Sequence, residues 1–128
     1  MANQEKNLAK WQSALEELNL IKSGDKVESY VMVNWPEFTF GPFGMWRKGT
    51  MVLTKEKMLI MSAFGICQMD FNYEDIREIK KCFVGLLPMG FAVSVYEKKS
   101  DKVKKHKIWI AGRSKWMKII ADKAGLAL

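Results

Sequence analysis

Residues 48–61 read KGTMVLTKEKMLIM and contain two apolar runs, 51–54 and 58–61, separated by the charged triplet Lys55-Glu56-Lys57. The first run consists of residues that favour strands and ends in a threonine, whereas the second is almost continuously apolar. A short charged segment between two such runs is typical of a tight turn. The stretch therefore predicts two strands joined by that turn.

Five further strand candidates flank this hairpin. Upstream, KVESYVMVNW (26–35) alternates with period two and places Val27, Val31, Val33 and Trp35 on one face. Together with the hairpin, the downstream candidates bring the predicted number of short antiparallel strands to seven. These downstream candidates are ICQMDFN (66–72), the segment 75–84, FAVSVYE (91–97) and KHKIWIA (105–111).

Helical spacing marks both ends of the chain. Residues 7–20 predict a helix that ends at Ser23-Gly24-Asp25, and its apolar stripe is Leu8, Trp11, Leu15 and Leu18. A second helix is expected between an N-cap at Ser114 and a left-handed C-cap at Gly125. Its apolar face consists of Trp116, Ile119, Ile120 and Ala124.

The pattern as a whole predicts a mainly β fold with helices. We expect a small sandwich or partly open barrel of about seven antiparallel strands, capped by the C-terminal helix and preceded by the N-terminal one. Its predicted core is Val31, Val33, Val52, Leu53, Leu59, Ile76, Val93, Val95, Ile108 or Ile110, Trp116 and Ile120.

The hairpin stretch, from Lys48 to Met61, resembles the strand-turn-strand signature GTLVLTNKRLIF of GRAM and bacterial pleckstrin-homology-like domains. Residues 73–79, YEDIREI, are similar to that family's pyeDIxxI element, and the terminal helix with its tryptophan fits too. The resemblance covers about residues 26–125. It implies seven strands in two near-orthogonal sheets capped by a C-terminal helix. The expected division is 1–25, N-terminal helix and linker, and 26–128, pleckstrin-homology-like domain.

Positive charge is concentrated in the second half of the chain. Lys and Arg total 21 against 14 Asp and Glu, and residues 77–128 alone carry 13 basic and 4 acidic groups. Such a field favours anionic lipid, nucleic acid or an acidic protein face, although a solvated hairpin tip is the simpler alternative. Strand alternation places Lys105 and Lys107 on one face and Lys104 on the other. The candidate lipid contacts are Lys98, Lys99, Lys102, Lys104, Lys105 and Lys107.

Five aromatic residues crowd the loop between the first two predicted strands. They either pack inside the domain, mediate self-association, or contact a membrane or ligand. Lipid-binding pleckstrin-homology domains carry a basic patch in this loop, but here it holds only Arg47 and Lys48. The resemblance therefore does not imply a phosphoinositide pocket. The candidate interaction residues are Trp35, Phe38, Phe40, Phe43 and Trp46.

The inventory of reactive groups predicts no enzyme, no cofactor and no metal site. His106 is the only histidine and lies within the lysine run, without a neighbouring acid or nucleophile in sequence. Cys67 and Cys82 lie on strand patterns, which is typical of small buried residues. The chain contains no phosphate-binding glycine loop and no nucleic-acid-binding motif, so no small-molecule substrate is inferred and nucleic acid is not an expected partner.

The function predicted from the sequence is therefore a non-catalytic binding or assembly module. Protein interaction or self-association through the aromatic loop is favoured, and peripheral binding to anionic membrane lipids through the lysine-rich hairpin is the alternative. Because the first residues lack the pattern of a signal peptide and the chain has no disulfide framework, we expect a cytoplasmic protein. If the lipid-binding alternative holds, we expect it to be peripheral at the inner membrane face.

Overall fold

A computed structural model describes the protein at residues 2–37, 45–62, 65–84 and 87–127. The described residues form two α-helices, seven strands and a short 3-10 turn at Tyr73–Asp75. Both helices and the seven antiparallel strands confirm the predicted fold class. The elements are α1 (Ala2–Glu17), β1 (Val27–Glu37), β2 (Met45–Thr54), β3 (Lys57–Ser62), β4 (Cys67–Asn72), β5 (Ile76–Val84), β6 (Leu87–Glu97), β7 (Lys102–Trp109) and α2 (Arg113–Ala124).

The strands form one open sheet in the order β4-β3-β2-β1-β7-β6-β5. Two halves, β1–β4 and β5–β7, join where Asn34 pairs with Trp109. The two halves pack against each other. The rings of Phe71 on β4 and His106 on β7 are 4.8 Å apart, although three strands lie between β4 and β7 in the sheet. The two sheets implied by the resemblance are thus two halves of one sheet, since pairing continues across the junction.

The inner core lies between the two halves. Helix α2 closes it with Met117, Ile120 and Ala121. Val31 and Trp116, which were also predicted as core, are only partly buried at its margin. The predicted core residues that are buried there are Val33, Leu53, Ile76, Val93, Val95, Ile108, Ile110 and Ile120.

A second apolar cluster lies on the outer side of β1–β4, where α1 covers the sheet. Leu15 of α1 and Ile21 after it pack on Val52, Leu59 and Met61. Two predicted core residues, Val52 and Leu59, are therefore buried against a helix rather than between the sheet halves. The sheet is covered on both faces in this half.

The face prediction for β1 is wrong at one residue. Val27 packs against the α1 cluster, whereas Val31 packs against the inner core. A shift in the β1–β2 register between Val27 and Ser29 moves Val27 to the other side of the sheet.

Helix α1 ends at Glu17, before the predicted boundary. Asn19 adopts a left-handed φ of 57°, its N–H donates to the Glu16 carbonyl at 3.1 Å, and the Leu20 N–H donates to the Leu15 carbonyl at 3.0 Å. Asparagine tolerates this conformation and ends the helix early. Leu18, placed on the predicted apolar stripe, is consequently 51% exposed.

The start of α2 also differs from prediction, whereas its end agrees. The helix begins at Arg113 after Gly112, which adopts a φ of 72°, so Ser114 lies inside the first turn and is not the N-cap. A left-handed residue before the helix favours glycine over serine. Gly125 provides the predicted left-handed cap, with a φ of 71°.

Side-chain hydrogen bonds attach the linker after α1 to the predicted β2–β3 turn. The buried Asp25 carboxylate accepts from the Thr54 hydroxyl at 2.7 Å and from the Glu56 N–H at 3.2 Å. The Gln12 amide donates to the Asp25 carbonyl at 2.9 Å and accepts from the Val27 N–H at 2.8 Å. Each bond satisfies a polar group that burial would otherwise penalise.

Neither α-helix in the described residues is long and apolar enough to cross a bilayer.

Candidate anion-binding face

The outer face of β5–β7 carries side chains whose positions follow from strand pairing. Residues paired across antiparallel strands project to the same side of a sheet. The inner side of these strands is the core, so the alternate residues face outward. Read from β5 to β7, the outward rows are Lys80–Ala92–Lys107, Glu78–Ser94–Lys105 and Cys82–Gly90–Trp109.

Small residues on the central strand make lysines the most prominent groups of this face. Ala92 and Ser94 are 4% and 8% exposed, whereas Lys80, Lys105 and Lys107 are exposed. Neighbouring strands lie about 4.8 Å apart, so the backbones under Lys80 and Lys107 are about 10 Å apart. The aliphatic stems can cover the small residues while the ammonium groups remain in water.

Residues from neighbouring elements extend the positive charge. Arg113 donates to the Gly90 carbonyl at 3.3 Å, and the Arg77 guanidinium lies 5.3 Å from the centre of the Tyr96 ring. Asn34 pairs with both Trp109 and Lys48, which places Lys48 on the same side across the junction. We call this set the basic face: Lys48, Arg77, Lys80, Lys105, Lys107 and Arg113.

Little negative charge opposes the basic face. Among the described residues of the three rows, Glu78 is the one acidic group, and its carboxylate lies 3.6 Å from the Lys80 ammonium. The Lys80 side chain remains 68% exposed, and such surface ion pairs contribute little. At the hairpin tip, Asp101 accepts a 2.7 Å hydrogen bond from the Tyr96 hydroxyl. The face therefore keeps a strong positive field.

The two thiols are poorly suited to nucleophilic chemistry. Burial raises the pKa of Cys82, although the positive charges of Lys107, Arg113 and Lys105 partly oppose this shift. Cys82 pairs with Gly90, whose carbonyl accepts from Arg113, so this cation lies near the thiol. Burial also raises the pKa of Cys67, and the Asp70 carboxylate adds to the rise. Both half-buried side chains are thus predominantly protonated thiols at neutral pH.

The structure divides the predicted lysine cluster between two faces. Lys105 and Lys107 belong to the basic face, whereas Lys104 pairs with Val95 on the other side and forms an ion pair with Glu97 at 3.2 Å. The predicted alternation of these three lysines is confirmed. Lys102 pairs in register with Glu97 at the end of the hairpin.

Lys98 and Lys99, at the hairpin tip, line a separate cleft of about 390 Å³ between β4 and the β6–β7 hairpin. Three acidic side chains, Asp70, Asp75 and Glu97, line the same cleft. The tip lysines therefore share their cleft with three carboxylates, whereas the described rows of the basic face contain one, that of Glu78.

His106 also lines this cleft and contacts the Phe71 ring. Burial lowers the pKa of His106, and the Lys104 ammonium lowers it further. The imidazole is thus neutral at neutral pH and serves in packing.

The predicted aromatic loop is described only in part. Trp35 is 4% exposed and belongs to the inner core, beside Gly49. A Cβ on Gly49 would overlap the Met61 carbonyl oxygen and lie 2.9 Å from the Trp35 ring, so this close approach requires glycine. Phe38, Phe40, Phe43 and the side chain of Trp46 lie outside the described residues.

Of the six residues of the basic face, the sequence singled out only Lys105 and Lys107 as candidate contacts, because the other four come from β2, β5 and α2. Lys80 lies in a segment that the sequence predicts only as a strand. Arg77 lies in the element YEDIREI, which the sequence analysis uses only for the family resemblance. A period-two reading of Glu78, Lys80 and Cys82 against Ile79 would have placed Lys80 on the outer side. Assigning Lys48 to this face requires knowledge of the β1–β7 junction, and assigning Arg113 requires its contact with Gly90 on β6.

Comparison with known proteins identifies the fold only through structures. No family model and no curated protein matches the sequence. The C-terminal domain of an unknown protein from Leishmania infantum is similar at a TM-score of 0.68 and 12% identity, covering 91% of this chain and 95% of that one. A DH/PH fragment of PDZRHOGEF, solved in complex with human RhoA, is similar at a TM-score of 0.62 and 9% identity. The match covers 87% of this chain and 31% of that one. The fold is pleckstrin-homology-like.

A third structure supports the same fold. The hSac2 domain from the human phosphoinositide phosphatase Sac2 has a TM-score of 0.60 and 10% identity, covering 94% of this chain and 80% of that one. This chain spans about a third of the PDZRHOGEF fragment, so the pleckstrin-homology-like fold is shared with only part of it. The narrower resemblance to GRAM domains stays a prediction.

Proposed function

We propose that this protein is a non-catalytic binding module that attaches to anionic membrane surfaces through the basic face. One observation carries the proposal: the outer side of β5–β7 holds a cluster of cations, whereas α1 covers the outer side of β1–β4 with apolar residues. A sheet face that displays ammonium groups above small residues is suited to a flat surface of negative charge.

The expected affinity is modest. Each Lys or Arg near a charged bilayer contributes about 1 kcal/mol, so a few such contacts give weak and reversible attachment. The cations lie on rows of a sheet rather than around a cavity, which favours recognition of surface charge over recognition of one headgroup. The neutral, packed His106 and the two protonated thiols support a non-catalytic role.

Co-sedimentation with vesicles tests the proposal. The wild-type protein should bind vesicles rich in phosphatidylserine at low salt, ignore neutral vesicles, and dissociate as salt screens the attraction over about 8–10 Å. The variant K105E/K107E should bind about 30-fold more weakly or worse, because two favourable contacts are reversed.

Lys104→Glu is the matched control, because Lys104 lies in the same strand but faces the other way. It should bind within a few-fold of wild type. Equal losses for Lys104→Glu and K105E/K107E would show that overall charge, not this face, determines binding. A wild-type protein that ignores anionic vesicles at low salt would refute membrane attachment, and preference for a DNA duplex would assign the face to nucleic acid.

Self-association through the aromatic loop, which the sequence favours, stays a prediction because Phe40 and Phe43 lie outside the described residues. If the loop is an interface, Phe40→Ser together with Phe43→Ser should lower the solution mass measured by light scattering, without changing the circular dichroism. A wild-type protein that remains monomeric at high concentration would contradict this prediction.

A further inference from the structure

Two exposed apolar side chains lie at opposite margins of the basic face. Of the large apolar residues that the structure describes, Leu18, Met32, Ile66 and Val103 are 51%, 61%, 60% and 55% exposed. Single exposed apolar residues are common on protein surfaces and need no explanation by themselves. Strand pairing, however, places Met32 and Val103 on the same side of the sheet as the lysines.

Val103 lies at the hairpin end of the basic face. Val103 and Lys105 are alternate residues of β7, and Lys105 projects outward, so Val103 projects to the same side. Its cross-strand partner is Tyr96, whose ring lies 5.3 Å from the Arg77 guanidinium. Tyrosine is enriched at membrane–water interfaces. An apolar and an aromatic side chain thus adjoin two cations at this margin.

Met32 lies where the basic face meets the part of the sheet that α1 covers. Tyr30, Met32 and Asn34 are alternate residues of β1, and Tyr30 packs against the outer cluster, so all three share the outer side. The Asn7 amide of α1 donates to the Tyr30 hydroxyl at 3.0 Å, and Asn34 pairs with Lys48. Met32, between these two contacts, is a diagonal neighbour of Lys48 and is left exposed.

We propose that Met32 and Val103 insert into the apolar boundary of an anionic bilayer while the basic face binds its headgroups. This insertion presupposes the proposed membrane attachment and adds a fixed orientation to it. Lysine and arginine interact with lipid phosphates at the surface, and apolar side chains bury themselves a few ångströms deeper. A nucleic-acid backbone offers phosphates without an apolar layer behind them, so the apolar margins favour a lipid surface.

The spacing of the two apolar side chains defines the surface that would meet the bilayer. Strands rise about 3.3 Å per residue, so the segment of β7 from Val103 to Trp109 spans about 20 Å. Trp109 pairs with Asn34, two residues from Met32. Lys105 and Lys107 lie between the two margins. Contacts at both ends would therefore hold these lysines against the headgroups.

Insertion adds a contribution to affinity that salt does not screen. Attraction between cations and lipid phosphates weakens with salt over about 8–10 Å, whereas burial of apolar surface does not depend on screening. The two contributions can therefore be separated by measuring vesicle binding over a range of salt concentrations.

Vesicle binding by matched variants tests the proposal. Met32→Gln keeps the length of the side chain, and Val103→Thr keeps its shape and preference for strands. M32Q/V103T should bind phosphatidylserine vesicles about tenfold more weakly than wild type at every salt concentration. K105E/K107E should instead lose affinity mainly at low salt, and its difference from wild type should shrink as salt rises.

L18Q/I66T is the control, because it removes two similarly exposed apolar side chains that are not part of the basic face. It should bind vesicles as wild type does. All four substituted side chains are exposed, so both double variants should keep the wild-type melting temperature.

A spin-labelled lipid locates the contact in the wild-type protein. Leu18, Met32, Ile66 and Val103 all carry methyl groups, so NMR can follow the four side chains in one isotope-labelled sample bound to phosphatidylserine nanodiscs. A doxyl group on the acyl chain of a trace lipid should broaden the methyl signals of Met32 and Val103 strongly. The methyl signals of Leu18 and Ile66 should change little.

Three outcomes would overturn the inference. If K105E/K107E weakens binding but M32Q/V103T binds like L18Q/I66T, the protein attaches by charge alone and insertion is wrong. Broadening of Leu18 or Ile66 as strong as that of Val103 would place a different surface against the bilayer. A wild-type protein that ignores anionic vesicles at low salt would refute both attachment and insertion. If M32Q/V103T melted at a lower temperature than wild type, the methyl broadening in the wild-type protein would decide.

Discussion

The two outer faces of the sheet differ in what their central strands carry. In the β1–β4 half, Val52 and Leu59 project outward and are buried under α1. In the β5–β7 half, the corresponding positions on the central strand β6 are Ala92 and Ser94, with lysines on both neighbouring strands. One half therefore gains a second apolar cluster from its outer face. The outer face of the other half is exposed to solvent and carries positively charged side chains.

This difference shows how the size and charge of the outward side chains decide whether a sheet face is covered by a helix or exposed to solvent. Large apolar residues outside a sheet require a cover, because their exposure would be costly. Small residues require none, so the same strand geometry can display cations.

Truncation of the covered face should be strongly destabilising. Leu59→Ala removes a fully buried side chain between β3 and α1 and should lower the free energy of unfolding by about 2–5 kcal/mol. Ser94→Ala on the basic face should cost less than about 1 kcal/mol. Urea denaturation of both variants measures the difference. Equal costs would show that α1 does not cover its face as a packed cluster.

The sequence predicted the strand count and both helices, and most of the residues that it placed in the core are buried, because these features depend on local periodicity. Val33 and Val93, for example, follow from alternation within single strands. The errors include Val27, Ser114 and Leu18, where a register shift, a left-handed glycine and the left-handed Asn19 change the chain path by a residue or two. The periodicity of the sequence does not predict a register shift or a left-handed residue.

The candidate site was less predictable than the fold. Lys105 and Lys107 were found because they lie in a lysine run, and their shared face followed from alternation. Lys80 becomes their neighbour only through the β5–β6–β7 register, which depends on pairing between distant segments. Sequence separation therefore concealed the clustering of charge and favoured the hairpin tip over the sheet face.

The cleft at the edge of the covered half should make stability depend on pH. Burial and then Lys104 lower the pKa of His106 below its ordinary value of 6.5, so the unfolded chain binds this proton more readily than the folded one. Stability should accordingly be full above pH 6.5 and fall as the pH decreases below it. Thermal melts between neutral pH and pH 5 measure the slope.

His106→Phe is the control, because it keeps an aromatic ring against Phe71 without a titratable group. This is the chain's only histidine, so the variant should be nearly independent of pH above about 5, where carboxylates begin to protonate. An unchanged slope in His106→Phe would show that another group is responsible.

The smallest effect is expected from neutralising a single lysine, and its sign should differ between the halves. Lys57, in the covered half, is 17% exposed, donates to the Leu20 carbonyl at 2.9 Å and lies 3.1 Å from an Asp70 oxygen. Lys57→Gln should therefore lower stability by about 1 kcal/mol. The described residues place no carboxylate within ion-pair distance of Lys107, whose neighbours include Lys105 and Arg113.

Because like charges surround Lys107, its neutralisation should leave stability unchanged or raise it by up to about 0.5 kcal/mol. Any gain should vanish at high salt, which screens the repulsion within the basic face. Lys107→Gln should nevertheless weaken vesicle binding about fivefold at low salt. Melting temperatures at two salt concentrations and co-sedimentation of the same variant separate the two effects. A loss of stability as large as that of Lys57→Gln would mean that Lys107 is held by structural contacts and is not displayed for binding.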